Sequence, residues 1–515
     1  MDRAKDGGVG RATTAGSDFL QLDAAEAPAG GLSEWLAMQL RLAISDGRLP
    51  VGSRLPASRV LAGELRVSRG VVTEAYQRLS EDGHVAGRGR AGTVVVASPV
   101  ASPVPSATAT AGQPDAAAGR VPLEVLGGAA AERTPGAVFE GEPDAEIFEK
   151  LRAAPARIDL TPGVPDLAAF PRTAWMRAER SVLGALSASD LGYGDPRGTL
   201  ALRTAVAGWL ARNRGIRVDA GEVIVVAGVA QALALLAHVL RQEGVDGVAV
   251  EEPGSLGARQ LLRSRELATP AVAVDAEGIR VDELGATGAT AVLLTPAHQF
   301  PTGVVLGGDR RRELMRWAAA GGLIIEDDYD AEHRYDRPPV SALRSMLPER
   351  VCYAGSVSKL LAPALRVGWL VAPPRYGDAL VDAKRNADLG NAVLPQLVLA
   401  KLMESGELER QLRFVRRRHR RRRDVMIESV RSHLPDATVH GAAAGLHLTV
   451  TFDAPFADTG LAAAALARGV KTQPLSWHLQ RRGGRPGLVL GYAASTATDI
   501  AEGVEVLGEV RRRMS

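Results

Sequence analysis

Lys359, within VCYAGSVSKLLAPALRVGWLVAP (351–373), is one of only six lysines in a chain that carries 56 arginines. It stands just beyond an apolar strand, between Ser358 and an apolar helical start. A lysine there does one thing an arginine does not: its amine loses its proton readily on burial, whereas a guanidinium stays charged. A neutral amine adds to an aldehyde to form a Schiff base. In an open α/β sheet, ligands gather at the carboxyl ends of strands, which is where Lys359 falls.

The neighbouring motifs supply groups suited to one aldehyde. Asp327, at the end of GGLIIEDDYD, offers a carboxylate for a ring nitrogen, and Tyr329 offers a phenol for an adjacent oxygen. Ser356, Ser358 and Arg366 bracket Lys359 with phosphate donors. EVIVVAGVAQALALLAHVL reads as strand, glycine turn and helix, aiming the N–H groups of Gly228, Val229 and Ala230 at an anion. TPAHQFPTG adds His298 near the ring. An acid for the pyridine nitrogen, donors for the phenolate oxygen, a phosphate cradle and a lysine are what pyridoxal phosphate (PLP) requires. Each signal alone is an ordinary loop or helix start; four strand ends converging on one chemistry are not.

These groups need a sheet to hold them. From about Arg157 to the C-terminus, EVIVVAG, GVAVEEP, TAVLLTP, GGLIIEDDY, VCYAGS and RVGWLVAP read as strands alternating with longer helical patterns. That alternation predicts an α/β domain with a mainly parallel central sheet. Residues 1–30 read as a disordered N-terminus. Residues 98–156, which include SPVASPVPSATATAGQP, read as a flexible Ala/Pro/Ser-rich linker.

Between them, 31–97 read as a compact domain of three helices and a short hairpin, a winged helix-turn-helix whose third helix enters the DNA major groove. It holds nine Arg against six acidic residues. Arg54 and Arg59 lead into the second helix, Arg69 opens the third, and Arg88 and Arg90 sit at the wing. Ser58, Ser68 and Thr73 add short hydrogen bonds to phosphates or base edges.

GRLPVGSRLPASRVLAGELRVSRGVVTEAYQRLSEDGHVAGRGRAGTVVV resembles the DNA-binding domain of GntR-family regulators over its whole length. From Arg157 onward, YGDPRG, TPAHQFPTG, EDDYD and SVSKLLAPALRVGW follow the order found in class I aminotransferases of PLP fold type I, which end in a smaller C-terminal α/β subdomain. The two together resemble MocR/GabR-type transcription regulators. The resemblance implies PLP as cofactor and a head-to-tail homodimer in which Tyr193 of YGDPRG reaches the partner's phosphate. It also implies a double-stranded DNA operator as partner.

The chain departs from that family at the pocket. Ser255 of EEPGSLGAR stands where an aromatic ring usually stacks on the pyridine, and Gly257 where GABA-responsive members carry a carboxylate-binding Arg. LVLGYA offers no Arg, and AGVAQA lacks the usual hydroxyl residue after its Gly. A transaminase clamps its substrate carboxylate, typically with a bidentate Arg. The expectation is therefore a regulator whose effector is PLP, alone or joined to an amino acid, acting on vitamin B6 or amino-acid metabolism. The rival is an active aminotransferase that carries a DNA-binding arm.

RFVRRRHRRRRDVM packs seven Arg and one His into 416–423; in a helical pattern it reads as a solvated face rather than a nucleic-acid contact. The net charge of +3 and pI near 9.1 lean basic without deciding anything. One cysteine, Cys352, excludes an intrachain disulfide framework or multi-cysteine metal site. No metal site is expected. With no signal peptide and no apolar run of about 18 residues, a cytoplasmic protein away from membranes is expected.

Overall fold

The computed structural model describes Leu22, Ala24, residues 27–28, 31–45, 48–50, 52–81, 84–87, 92–96, 135–335, 341–481 and 483–514. The chain divides into two compact units, residues 1–130 and 131–515.

The first unit is built from α1 (Leu32–Ser45), α2 (Ser58–Glu64) and α3 (Arg69–Glu81), followed by an antiparallel pair, β1 (Val85–Gly87) and β2 (Thr93–Val95). Trp35, Leu36, Leu40 and Ile44 from α1 meet Leu61 from α2 and Val72, Ala75, Tyr76 and Leu79 from α3 in one core. The i, i+3, i+4, i+7 spacing in α3 puts its apolar positions on a single stripe and leaves Arg69 and Thr73 in solvent. Tyr76 donates its hydroxyl proton to the Pro56 carbonyl at 2.8 Å, tying α3 to the turn before α2.

The second unit starts earlier than composition suggests. A 3-10 turn at Pro135–Phe139 and α4 (Ile147–Ala153) lie inside the expected linker. Phe139, Ile147 and Leu151 are buried in the core of the C-terminal subdomain, Phe139 stacking on Trp477 at 5.4 Å. The apolar side chains of AVFEGEPDAEIFEKL fix this segment despite its Ala- and Pro-rich flank, so the linker reading fails for 135–156.

After β3 (Ile158–Asp159) comes the large sheet: β4 (Val223–Val226), β5 (Ala249–Glu252), β6 (Ala271–Asp275), β7 (Gly278–Ile279), β8 (Ala291–Leu294), β9 (Leu323–Asp328), β10 (Val351–Ser356) and β11 (Gly368–Val371). Their order is β4-β11-β10-β9-β8-β5-β6-β7. The centre is parallel, while β11 runs antiparallel to both β4 and β10, and β7 closes the far edge antiparallel to β6. Both faces are covered by helices, which is why the strands are apolar throughout rather than alternating.

Period-two geometry still sorts the residues. Leu323 and Ile325 join the core beneath helix Val229–Gln242, and Ile324 joins the opposite one. The smaller subdomain carries β12 (Ala437–His440), β13 (His447–Phe452), β15 (Gln473–Pro474) and β16 (Gly487–Gly491) in the order β12-β13-β16-β15, with β14 (Val470–Lys471) pairing parallel to β3.

The arginine run lies in helix Glu407–His433 and splits between two tasks. Arg416 donates to the Arg334 carbonyl, Arg418 and Arg422 share the buried Asp166 carboxylate at 2.7 and 3.0 Å, and Arg423 lies 4.9 Å over the Tyr335 ring. Arg417, Arg420 and Arg421 face solvent. The run is thus half anchor, half solvated face.

Candidate functional site

One cavity of about 740 Å³ gathers the groups expected from the sequence: Gly228, Val229, Ala230, Asp327, Tyr329, Ser356, Ser358, Lys359 and Arg366 all line it. The strand β9 explains how. Continuing the alternation of Leu323 and Ile325, Asp327 emerges on the cavity face, while Glu326 and Asp328 point to the other side. There Asp328 accepts from Arg214 Nε at 2.5 Å and Tyr353 Oη at 2.6 Å, and Glu326 accepts from the Leu343 and Arg344 N–H groups at 3.0 Å each.

Asp327 is the group without such company. Its Oδ1 is buried with no partner. Burial, with the Asp328 and Asp330 charges, pushes its carboxyl up to about 7, and Lys359 only partly pulls it back. A buried acceptor left open is costly unless a ligand donor completes it.

The Lys359 amine donates to the Gly163 carbonyl. Burial pushes its pKa down, against the pull of Asp327 and Asp330, toward the neutral amine that imine chemistry needs. Tyr329 is pushed well above the usual phenol range, chiefly by burial, and so remains a proton donor. Its hydroxyl donates to the His298 carbonyl at 3.0 Å.

The end expected to take a phosphate combines backbone and side chains. Gly228 adopts φ +88°, and a Cβ there would stand 3.4 Å from the Arg366 guanidinium and 3.8 Å from Ser358 Oγ. Those groups therefore converge on the N-terminus of the 14-residue helix that begins at Val229. Acceptor, amine, phenol and cradle share one cavity, so the residues present fit PLP.

Two expected residues lie elsewhere. His298 does not line the cavity; it sits behind Tyr329, its Nδ1 3.1 Å from the phenol oxygen and 2.9 Å from Asp330 Oδ2. Tyr193 is 97 % exposed and lines a separate cleft with Asp195, Arg203 and Asn391. Ser255 caps helix Leu256–Ser264, its Oγ accepting from the Ala258 N–H at 3.3 Å, and contributes no ring.

Residues that the sequence reading missed complete the walls: Phe148, Leu151 and Arg152 from α4, Phe300, His447, Lys471, Gln473 and His478. Phe300 stands inside TPAHQFPTG, two residues after His298, and the Phe148–Leu151–Arg152 spacing marks one face of a helix; the others belong to no local motif. His298, Asp330 and His447 bring ligand atoms within 4.8 Å of one another, but His298 and Asp330 are already bonded and His447 Nε2 lies 3.1 Å from the Pro301 carbonyl.

In the first unit Arg54, Arg59, Ser68, Arg69 and Thr73 are exposed and Ser58 half-buried. Arg54 packs its guanidinium beside Gly92 at the base of the wing, and Ser68 Oγ accepts from the Val71 N–H at 3.4 Å, capping α3. Arg88 and Arg90 lie outside the described residues.

A winged helix-turn-helix unit and a PLP fold type I unit with its lysine, aspartate and phosphate cradle define a composite class: a DNA-binding domain joined to an aminotransferase body. Comparison with known proteins narrows it. Residues 156–505 match the aminotransferase class I and II family, and residues 32–95 match the bacterial regulatory proteins of the gntR family. The probable rhizopine catabolism regulatory protein MocR of Rhizobium meliloti is 32 % identical, covering 91 % of both chains. The HTH-type pyridoxine biosynthesis transcriptional regulator PdxR of Corynebacterium glutamicum is 30 % identical, covering 89 % of this chain and 91 % of its own. The kynurenine aminotransferase of Pyrococcus horikoshii, 27 % identical, superposes with a TM-score of 0.66 over 72 % of this chain and 94 % of its own. The chain belongs to the class I and II aminotransferase family, in the branch of HTH-type transcriptional regulators that carry a gntR domain. Its cofactor is PLP. Among the described residues no helix is long and apolar enough to cross a membrane.

Proposed function

We propose that this chain is a cytoplasmic transcription regulator for which PLP is the effector as well as the cofactor. The observation that carries the reading is the imbalance of the cavity. Asp327 Oδ1, buried and unpartnered, waits beside an amine inclined to lose its proton, yet Ser255 and Gly257 offer neither a stacking ring nor a guanidinium. A site that holds a cofactor and lacks the usual substrate clamp is suited to sensing.

Lys359 supplies the amine. Asp327 would accept the ring N–H, and Tyr329 would turn its one hydroxyl proton from the His298 carbonyl to the phenolate oxygen, with His298 behind it. Gly228, Val229, Ala230, Ser356, Ser358 and Arg366 hold the phosphate. When bound, PLP supplies an aldehyde for an amine and an electron-drawing ring. Tyr193, so exposed in its own chain, reaches the partner's phosphate in a head-to-tail homodimer. The winged helices of the pair read a repeated double-stranded operator through Arg54, Ser58, Arg59, Ser68, Arg69, Thr73, Arg88 and Arg90. The relative named for pyridoxine biosynthesis supports target genes of vitamin B6 metabolism.

The test has two parts. After borohydride reduction, PLP is expected to stay covalently on the wild-type chain and to be absent from Lys359→Ala. Operator affinity is expected to change across a PLP titration in the wild type and to stay level in Lys359→Ala. A level wild-type curve overturns the effector reading.

A second reading, an active aminotransferase, is favoured by Lys359, Asp327 and Tyr329 standing together in one cavity. Conversion of the PLP-loaded chain to its pyridoxamine form by an amino acid at useful rates supports that reading; no conversion leaves the sensor.

A further inference from the structure

The cavity wall also holds a cation that no local motif predicts. Lys471, on β14, is only 5 % exposed and lines the cavity beside Gln473 and His478. An ammonium has three N–H donors. One reaches the Arg152 carbonyl at 3.2 Å, and a second approaches Asp159 Oδ2 at 3.6 Å, beyond a good hydrogen bond. The third has no acceptor among the described residues. Asp159 is a diluted counterion, since its Oδ1 already accepts from the Thr161 N–H and hydroxyl at 2.9 and 2.6 Å. A buried ammonium with a spare donor on a cavity wall favours an anion there. His478, 1 % exposed and also lining the cavity, has an Nδ1 with no partner.

The location relates this cation to Lys359. β14 pairs with β3 in the register Lys471–Asp159, and β3 runs directly into the Thr161–Val164 loop whose Gly163 carbonyl holds the Lys359 amine. The helix that supplies the Arg152 carbonyl also brings an apolar wall. A Cβ on Gly257 would stand 3.5 Å from the Phe148 ring, in ordinary contact, so α4 lies against position 257, with Leu151 one turn further on.

We propose that Lys471 is the anion contact of a second ligand site in this cavity, for a small carboxylate with an apolar body that packs on Phe148 and Leu151. The proposal rests on the Lys359 cavity being a ligand site, though not on PLP occupying it. It places the carboxylate of an effector against β14 rather than at position 257 or in LVLGYA, where a transaminase would clamp its substrate.

The experiment is calorimetric titration of the full chain, with and without PLP, by 3-phenylpropionate and by its neutral counterpart 3-phenylpropanol. The wild type is expected to prefer the carboxylate by at least about tenfold, the worth of a charge-assisted bond. The preference is expected to vanish in Lys471→Met and to return in Lys471→Arg, with PLP uptake equal in all three. Lys471→Gln, which can still donate to the Arg152 carbonyl, replaces Lys471→Met if that variant does not fold. L-Phenylalanine separates two sources of the carboxylate: tighter binding than 3-phenylpropionate marks an amino acid, and equal or weaker binding a simple acid, either through Lys471. Absent binding of 3-phenylpropionate, equal binding of acid and alcohol, or a preference that survives Lys471→Met overturns the proposal. A chain that takes up no PLP refutes the cofactor reading alone, because the unloaded titration still decides Lys471.

Discussion

The role proposed for Asp327 serves the ligand at the expense of the fold. Its carboxyl is pushed up to about 7, first by burial and then by Asp328 and Asp330. The ligand-free native state therefore keeps a proton that the unfolded chain releases near pH 4. A raised carboxyl pKa contributes stability that is full below the unfolded value and lost as pH climbs through the folded one. In PLP-free protein, Asp327→Asn is expected to gain on the wild type by about 1.4 kcal/mol per pH unit between pH 5 and 7. Urea denaturation at several pH values measures it; a pH-independent difference argues against the shift. The same variant lacks the charged acceptor for the ring N–H and is expected to bind PLP about 10- to 100-fold more weakly, read from cofactor absorbance. More stable yet less able to bind is the signature of a ligand group, whereas a purely structural carboxylate loses stability when replaced.

At the scale of the element, β9 shows what the sequence made legible and what it hid. The apolar run ending in acids announced a strand, and period two places Asp327 on the same face as Leu323 and Ile325. Nothing in EDDYD reveals that Asp328 is held by Arg214, because the two are 114 positions apart and meet only when helix Leu200–Arg214 packs on the sheet. The pair is buried on both sides, 1 % exposed each. Removing one member of a buried pair leaves the other charge unmatched, so Arg214→Ala is expected to cost about 3–5 kcal/mol in a denaturation experiment. A loss under 1 kcal/mol would mean that Tyr353 alone holds Asp328. The same blindness explains α4: its apolar residues are few, and local composition outweighed them until the subdomain core supplied partners. It also explains Lys471, whose position on a two-residue strand carries no periodicity. His298 was legible as a neighbour of the ring chemistry, but its place behind Tyr329 depends on a turn that brings two strand ends together.

The whole molecule adds a relation that neither unit has alone. The winged unit carries Arg59 and Arg69 in solvent, where phosphate contact releases counterions. Operator affinity is expected to fall linearly on a log–log salt plot, with each of Arg59→Ala and Arg69→Ala reducing the slope by about 0.9. An unchanged slope removes that arginine from the DNA contact. Under the proposed effector reading, ligand occupancy enters the same free energy. If PLP alters operator affinity by some factor, thermodynamic linkage requires the operator to alter PLP affinity by the same factor, typically about 5- to 150-fold for coupled sites. Titrating PLP into the chain with and without saturating operator, followed by cofactor absorbance, measures that second factor without reference to transcription. Equal factors identify two sites biasing one equilibrium. A PLP affinity that ignores the operator, beside an operator affinity that follows PLP, breaks the cycle and assigns the DNA effect to something other than occupancy of the Lys359 cavity.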